Sequence, residues 1–311
     1  PIFARMTFGN KGAKLSTISR SIIGCGWTSI QSWVGGGALA ALIGIVIPFF
    51  SDQSQTISMP GNDNVMVGQL IGFAVFVLVC GWVAYNSMDK IKWVQNISAP
   101  LLIVVIVGLI CWSIYTIYST GHSFTDVFSV GNNEALIEQN GGFAYVYMAG
   151  LTANIAYWAT MALNIPDFSK MAKTQKDQFN GQLIGMPIPM AVCAIAGALF
   201  AQATTYAYGT DSYDPTTVFF YMSNPIAVAV CAIGVIVATL TTCVAANVVA
   251  PANGWSELAP KKVSFKKGVV ITIVISIFVM QPWFIYGSGS AYVFTWLNNY
   301  GTIIAPVAAI L

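Results

Sequence analysis

The sequence predicts an all-α polytopic membrane protein, a bundle of about eight transmembrane helices, and three observations carry that expectation. Hydrophobic residues make up 56% of the 311 residues and charged residues only 8%, against about a quarter charged in an ordinary soluble domain. So few charges could not cover a water-facing surface of this size, whereas a bilayer presents hydrocarbon to the outside of the fold. The apolar residues also gather into runs of about 20, the length a helix needs to cross the hydrocarbon core. Finally, every Lys and Arg falls on alternate connections between those runs.

The runs, in order, are 22–50, 67–85, 98–118, 143–163, 183–206, 225–250, 269–286 and 291–311. Arg5, Lys11, Lys14 and Arg20 precede the first. Lys90 and Lys92 lie between the second and third, Lys170, Lys173 and Lys176 follow the fourth, and Lys261, Lys262, Lys266 and Lys267 follow the sixth. The connections at 51–66, 119–142, 207–224 and 287–290 carry no Lys or Arg and hold Asp52, Asp63, Asp126, Glu134, Glu138, Asp211 and Asp214 instead. A misplaced span would scramble this alternation. By the positive-inside rule the basic side is cytoplasmic, which places the chain as a multi-pass protein of the cell inner (plasma) membrane. Pro1 in place of Met, and an apolar run that stops at Leu311, are read as the ends of a piece of a longer protein.

Several chemistries are disfavoured. The span centres carry no Asp, Glu, Lys or Arg, unlike a voltage sensor or a carboxylate proton relay. The sequence has no H-E-x-x-H motif, and no nucleophile–base pair or metal cluster emerges, so an enzyme is not expected. The six cysteines, Cys25, Cys80, Cys111, Cys193, Cys231 and Cys243, lie in apolar runs without a C-x-x-C pair and read as small buried hydrophobes. His122 sits alone in a polar loop.

Uncharged polar residues interrupt the runs in three places. In Gly24-Cys25-Gly26-Trp27-Thr28-Ser29-Ile30-Gln31, Trp27 and Gln31 are four apart and share a helix face. An indole beside an amide suits a flat ring with a hydrogen-bonding edge; close helix packing through Gly and Ser, with Gln bonding across helices, suits the same residues. The glycines at 35–37 read as packing. The second stretch, 154–168, holds Asn154, Tyr157, Trp158, Asn164, Pro166 and Asp167. Pro166 ends or kinks its helix, Trp158 is a second stacking platform or an ordinary packed indole, and Asp167 is a helix cap or gate contact. In the third, 238–247, the carbonyl of Ala238 and the hydroxyls of Thr241 and Thr242 offer oxygen ligands to a hard monovalent cation, and Asn247 faces a neighbouring pocket. Back-bonding of the threonines onto the preceding turn, with Asn247 joining helices together, is the alternative. Pro187 and Pro189 sit where a span begins, and 213–224 reads as an extracellular amphipathic lid or a plain interfacial segment.

Taken together these stretches resemble the nucleobase–cation symporter-1 family of hydantoin, allantoin and uracil permeases. The marks are Phe3-Ala4-Arg5-Met6-Thr7-Phe8-Gly9, Gly26-Trp27-Thr28-Ser29-Ile30-Gln31-Ser32-Trp33-Val34-Gly35-Gly36, Ala162-Leu163-Asn164-Ile165-Pro166-Asp167-Phe168, and Ala245-Ala246-Asn247 followed by Pro251-Ala252-Asn253. The resemblance extends over 1–311 as one transporter domain. It implies a leucine-transporter-like inverted-repeat bundle with ligands near the midplane at broken helices, the chain supplying the family's helices three to ten of twelve. It further implies that Trp27 and Trp158 sandwich a flat heterocycle and that Gln31 and Asn247 bond its edge. By the same resemblance, Ala238 (through its carbonyl), Thr241 and Thr242 look like half of a sodium site. Sodium is then the coupling ion, no other cofactor is needed, and the partners are a small heterocyclic substrate and membrane lipid, with no nucleic acid. A proton-coupled or uncoupled carrier of another small solute is the alternative. Two positions depart from the hydantoin permease: Thr241 replaces a serine, and Tyr157 replaces a small glycine beside the stacking Trp, which bears on pocket size.

Overall fold

The computed structural model describes residues 2–86, 88–128, 134–163, 165–169, 172–209, 215–219, 221–222, 224–287, 299–302 and 304. The chain opens with α1 (Ile2–Gly44), bent at Gly9, where φ of 65° is readily adopted only by glycine. A 3-10 turn (Pro48–Phe50) leads into a hairpin of β1 (Thr56–Met59) and β2 (Asn62–Met66), antiparallel with Thr56 opposite Met66. Then follow α2 (Val67–Asn86), α3 (Met88–Ser119), α4 (Phe124–Val127), α5 (Glu134–Gln139) and α6 (Phe143–Ala162). After these come α7 (Pro166–Ser169), α8 (Gln175–Gly185), α9 (Pro187–Tyr208), α10 (Pro215–Val218) and α11 (Pro225–Thr242). A π turn (Cys243–Val248) joins α11 to α12 (Val249–Leu258), and α13 (Phe265–Phe278) and α14 (Pro282–Gly287) complete the described order.

The starts are chemically explicit. Pro187 and Pro225 occupy the first turn of α9 and α11, where a missing N–H costs nothing. Asn224 caps α11 by accepting from the amides of Ile226 and Ala227, and Ser264 caps α13 through the amide of Lys267. In the loop ahead of α4, the Ser123 amide donates to Asp126 at 2.7 Å and holds that carboxyl below the usual carboxylate range.

Five segments among the described residues are long and apolar enough to cross a membrane: Val67–Asn86, Ser98–Ser119, Gln175–Tyr208, Pro225–Leu258 and Phe265–Phe284. Helices α1 and α6, which carry the polar residues described below, are long enough but fall outside that set. The last expected run, 291–311, lies mostly outside the described residues.

Four sequence expectations need correcting. The first helix begins at Ile2 rather than at 22 and ends at Gly44, so Arg20 lies inside it, buried at 4% exposure, instead of in a connection. Lys90 and Lys92 likewise fall within α3. The connection at 51–66 is a hairpin, closed by Gly61 at φ 79°; in β2 the polar Asn62, Asp63 and Asn64 lie toward the surface and the apolar Val65 and Met66 are buried in the core. Of the six cysteines, all free, only Cys25, Cys80 and Cys243 are buried; Cys111 and Cys193 are exposed, on the apolar outer faces of α3 and α9. His122 stacks on Tyr206, ring centroids 3.7 Å apart.

Helix α1 is the hub. It packs against α2, α11, the π turn, α12 and α13, while α3 pairs with α9. One core cluster joins Trp33 of α1, Phe73, Phe76, Val77 and Cys80 of α2, Cys243 and Val248 of the π turn, and Ile273 of α13. Close approach of α1 and α2 depends on glycine: a Cβ on Gly36 would lie 2.3 Å from the Phe73 amide nitrogen, and one on Gly72 2.2 Å from the Gly36 carbonyl oxygen. The glycines at 35–37 therefore serve packing. Outward faces such as Val104, Tyr115, Val230 and Phe278 are apolar and exposed, as lipid contact requires.

Gly36→Ala is expected to destabilise the full-length protein by about 1–3 kcal/mol through overpacking, whereas Gly108→Ala, whose Cβ would meet nothing within 4 Å, leaves the thermal midpoint in detergent unchanged or slightly higher.

Candidate functional site

Trp27 and Gln31 project from one face of α1 toward the π turn and α6. Around them opens a cavity of about 330 Å³ bounded by α1, α3, α6, α11 and the π turn. Its walls are Trp27 and Gln31 of α1; Ser98, Ala99 and Leu102 of α3; Tyr157, Trp158, Thr160 and Met161 of α6; Thr241 and Thr242 of α11; and Ala245, Ala246 and Asn247 of the π turn. Among the described residues, none that lines the cavity carries a charge.

Both indoles are present and individually braced. Trp27 Nε1 donates to the Tyr300 hydroxyl at 3.2 Å, and Trp158 Nε1 points at the sulfur of Met190. Tyr157 meets Trp27 edge-to-face at 5.0 Å and 87°, and meets Trp158 at 5.3 Å and 80°. Each ring pair has the edge-on arrangement that the aromatic quadrupole favours.

The two amides are joined directly. Asn247 Nδ2 donates to Gln31 Oε1 at 2.9 Å. That bond uses one donor of Asn247 and one acceptor of Gln31. The amide end of Gln31 and the carbonyl end of Asn247 then remain as a donor and an acceptor, the complement of a cyclic amide edge.

Thr241 Oγ1 donates to the carbonyls of Val237 at 2.8 Å and Ala238 at 3.0 Å, and Thr242 Oγ1 donates to Ala238. The threonines thus bond back onto the preceding turn while their oxygens stand on the cavity wall. Ala238 lies a turn away and is not itself part of that wall.

Six of the seven residues singled out in the sequence, Trp27, Gln31, Trp158, Thr241, Thr242 and Asn247, therefore border one cavity. Asn164 and the side chain of Asp167 lie outside the described residues. Sequence reasoning missed Ser98, Leu102, Thr160 and Met161, which sit in unremarkable apolar surroundings. It also missed Tyr300 and Thr28. Thr28 donates to the carbonyls of Gly24 at 2.9 Å and Asn247 at 2.8 Å.

A sequence model of permeases for cytosine/purines, uracil, thiamine and allantoin matches residues 1–311. The chain is 35% identical over 311 residues to the purine-uracil permease NCS1 of Arabidopsis thaliana, covering 100% of this chain and 50% of that protein. It is 28% identical over 323 residues to the allantoin permease of Bacillus subtilis (strain 168), covering 100% of this chain and 61% of that one. Two solved structures of Mhp1 share the fold. One is a closed conformation with bromovinylhydantoin bound, described as a nucleobase-cation-symport-1 family transporter, with TM-score 0.70 and 20% identity over 98% of this chain and 62% of that one. The other is inward facing, with TM-score 0.69 and 21% identity over 99% and 61%. The architecture is therefore the leucine-transporter-like helical bundle. The chain spans about half to three-fifths the length of these relatives.

The Gln31–Asn247 contact is measurable without a ligand. Gln31→Ala and Asn247→Ala, alone and combined in the full-length protein, are expected to show a coupling of about 0.5–1.5 kcal/mol in thermal stability, the net worth of one such hydrogen bond. Strict additivity would mean that the two amides are not bonded to each other.

Proposed function

The chain belongs to the family of permeases for cytosine/purines, uracil, thiamine and allantoin, and we propose from that membership that it forms the core, a single domain over 1–311, of a sodium-coupled symporter for a small, neutral, planar nitrogen heterocycle. The observation that carries this reading is a cavity walled by two indoles and two amides and, among the described residues, lined by no charged side chain. A charged solute entering such a cavity would lose its hydration without a countercharge. A flat neutral ring loses little, because the indoles stack on its faces and the amides take its edge. A ring with the wrong donor–acceptor order leaves buried polar groups unpaired, and this supplies discrimination.

The relatives are named for purines, uracil and allantoin, and one Mhp1 structure holds a hydantoin. All these rings carry amide or amidine-like edges. Trp27 and Trp158 are the stacking platforms in this reading, and Gln31 and Asn247 the edge readers. Thr241, Thr242 and the Ala238 carbonyl contribute oxygens to sodium. The protein works by alternating access across the cytoplasmic membrane, with its Lys- and Arg-bearing connections on the cytoplasmic side.

The test is tryptophan fluorescence of the full-length protein against hydantoins, allantoin, uracil, cytosine and purines, with and without sodium. Saturable quenching by one class of ring is expected, tightened by sodium within the 5–150-fold range of typical coupling. Trp158→Ala abolishes the quenching. Thr242→Ala keeps ring binding in choline buffer but loses most of the sodium effect. Binding that ignores sodium would leave the site and remove the coupling ion, and binding of no ring would overturn the assignment of the cavity.

A further inference from the structure

Helix α11 does not run evenly into α12. In the π turn the Val249 amide reaches back five residues to the Val244 carbonyl. Pro251 follows, buried and without an N–H. It can donate neither to the carbonyl four residues back, Asn247, nor to the one five back, Ala246. Those two carbonyls are the ones that receive donors from α1: Arg20 Nη2 bonds Ala246 O at 2.5 Å, and Thr28 Oγ1 bonds Asn247 O at 2.8 Å.

The two donors belong to one face of α1. Arg20, Gly24 and Thr28 recur every four residues, so they stand one above another. Gly24 is the gap that admits both partners, since a Cβ there would lie 2.4 Å from Pro251 Cγ and 2.9 Å from the Arg20 guanidinium. Arg20 and Thr28 are 4% and 0% exposed. Three residues beyond Thr28, Gln31 takes the side chain of Asn247.

We propose that Arg20 and Thr28 are positioning residues for the binding site, acting through Asn247. They bond the two carbonyls that Pro251 cannot serve, and so hold the π register that presents Asn247 to the cavity. If that register collapsed to an ordinary α-helix, the face would turn by about 100° per residue of shift, and the amide of Asn247 would leave the wall. The guanidinium suits the task because its donors are fixed in a planar fork, which a lysine ammonium does not reproduce. The inference rests on the preceding reading of the cavity as a heterocycle site.

The experiment uses the full-length protein and whichever ring quenches the wild type. Arg20→Gln and Arg20→Lys are each expected to weaken ring binding at least tenfold. In the Asn247→Ala background, Arg20→Gln should add less than a twofold further loss, because the residue through which it acts is gone. Thr28→Val is expected to behave like Arg20→Gln while Thr28→Ser retains wild-type binding, which keeps the idea testable if Arg20 variants fail to fold. Unchanged affinity in Arg20→Gln or in Thr28→Val, or losses that multiply fully with Asn247→Ala, would reduce these residues to general supports of the fold and overturn the proposal. A wild type that binds none of the rings would overturn the underlying reading and this inference with it.

Discussion

Inside a bilayer a backbone carbonyl that leaves its helical ladder has no water to turn to, and the protein must supply its donor. At Ala246 and Asn247 the donors come from a different helix, 226 and 219 residues earlier in the chain. Pro251 has no N–H to offer either carbonyl, and Arg20 and Thr28 bond both. The thiol of Cys243 adds two longer contacts to the same seam, with the Thr28 carbonyl and with Ser32, each at 3.9 Å. The irregular turn is therefore tied to α1 at several levels, and α1 in turn packs against α2, α11, α12 and α13.

Because α1 is the hub, its composition is constrained along its length in different ways. Toward the 3-10 turn it must be thin, hence the glycines that meet Phe73 and Phe76 of α2. In its middle it must be polar on one stripe, hence Thr28, Gln31 and Ser32. Trp27 belongs to neither demand: it is half-buried, faces the cavity, and packs with Ala156, Ala159 and Tyr300. The cavity thus opens where α1 meets α6 and α3, away from the tightly packed seam with α2 and α13. Under the proposed reading, the solute would lie at this boundary, between α1 and the walls contributed by α6 and α3.

The membrane class was readable because it depends on counts and lengths that tolerate errors of several residues. The helices run further than the apolar runs: α1 and α3 extend through Arg20 and through Lys90 and Lys92, which the hydropathy pattern excludes from the spans. Trp27, Gln31, Trp158 and Asn247 stood out as polar or aromatic interruptions of apolar helix. Ser98, Met161 and Thr160 did not, since each resembles the ordinary filling of a membrane helix and only tertiary packing brings them to the wall. The hairpin at 56–66 was hidden by its length and polarity. The π turn was hidden because hydrogen-bond register leaves no mark on composition; its one trace is Pro251, four residues after the amide it positions.

Within the proposed reading, the back-bonded threonines acquire a definite meaning. The hydroxyl protons of Thr241 and Thr242 are committed to the carbonyls of Val237 and Ala238. What each oxygen can offer the cavity is then a lone pair, which suits a cation and gives nothing to an anion. The same rod carries Asn247 five residues past Thr242. An ion that fixes the last turn of α11 also fixes the start of the π turn, and a ring held by Asn247 fixes it from the other side. Each ligand then finds part of its ordering already done when the other is bound, and the benefit is necessarily mutual. Coupling between a neutral ring and a monovalent ion needs no charge exchanged between them, only a shared stretch of irregular backbone whose register both prefer.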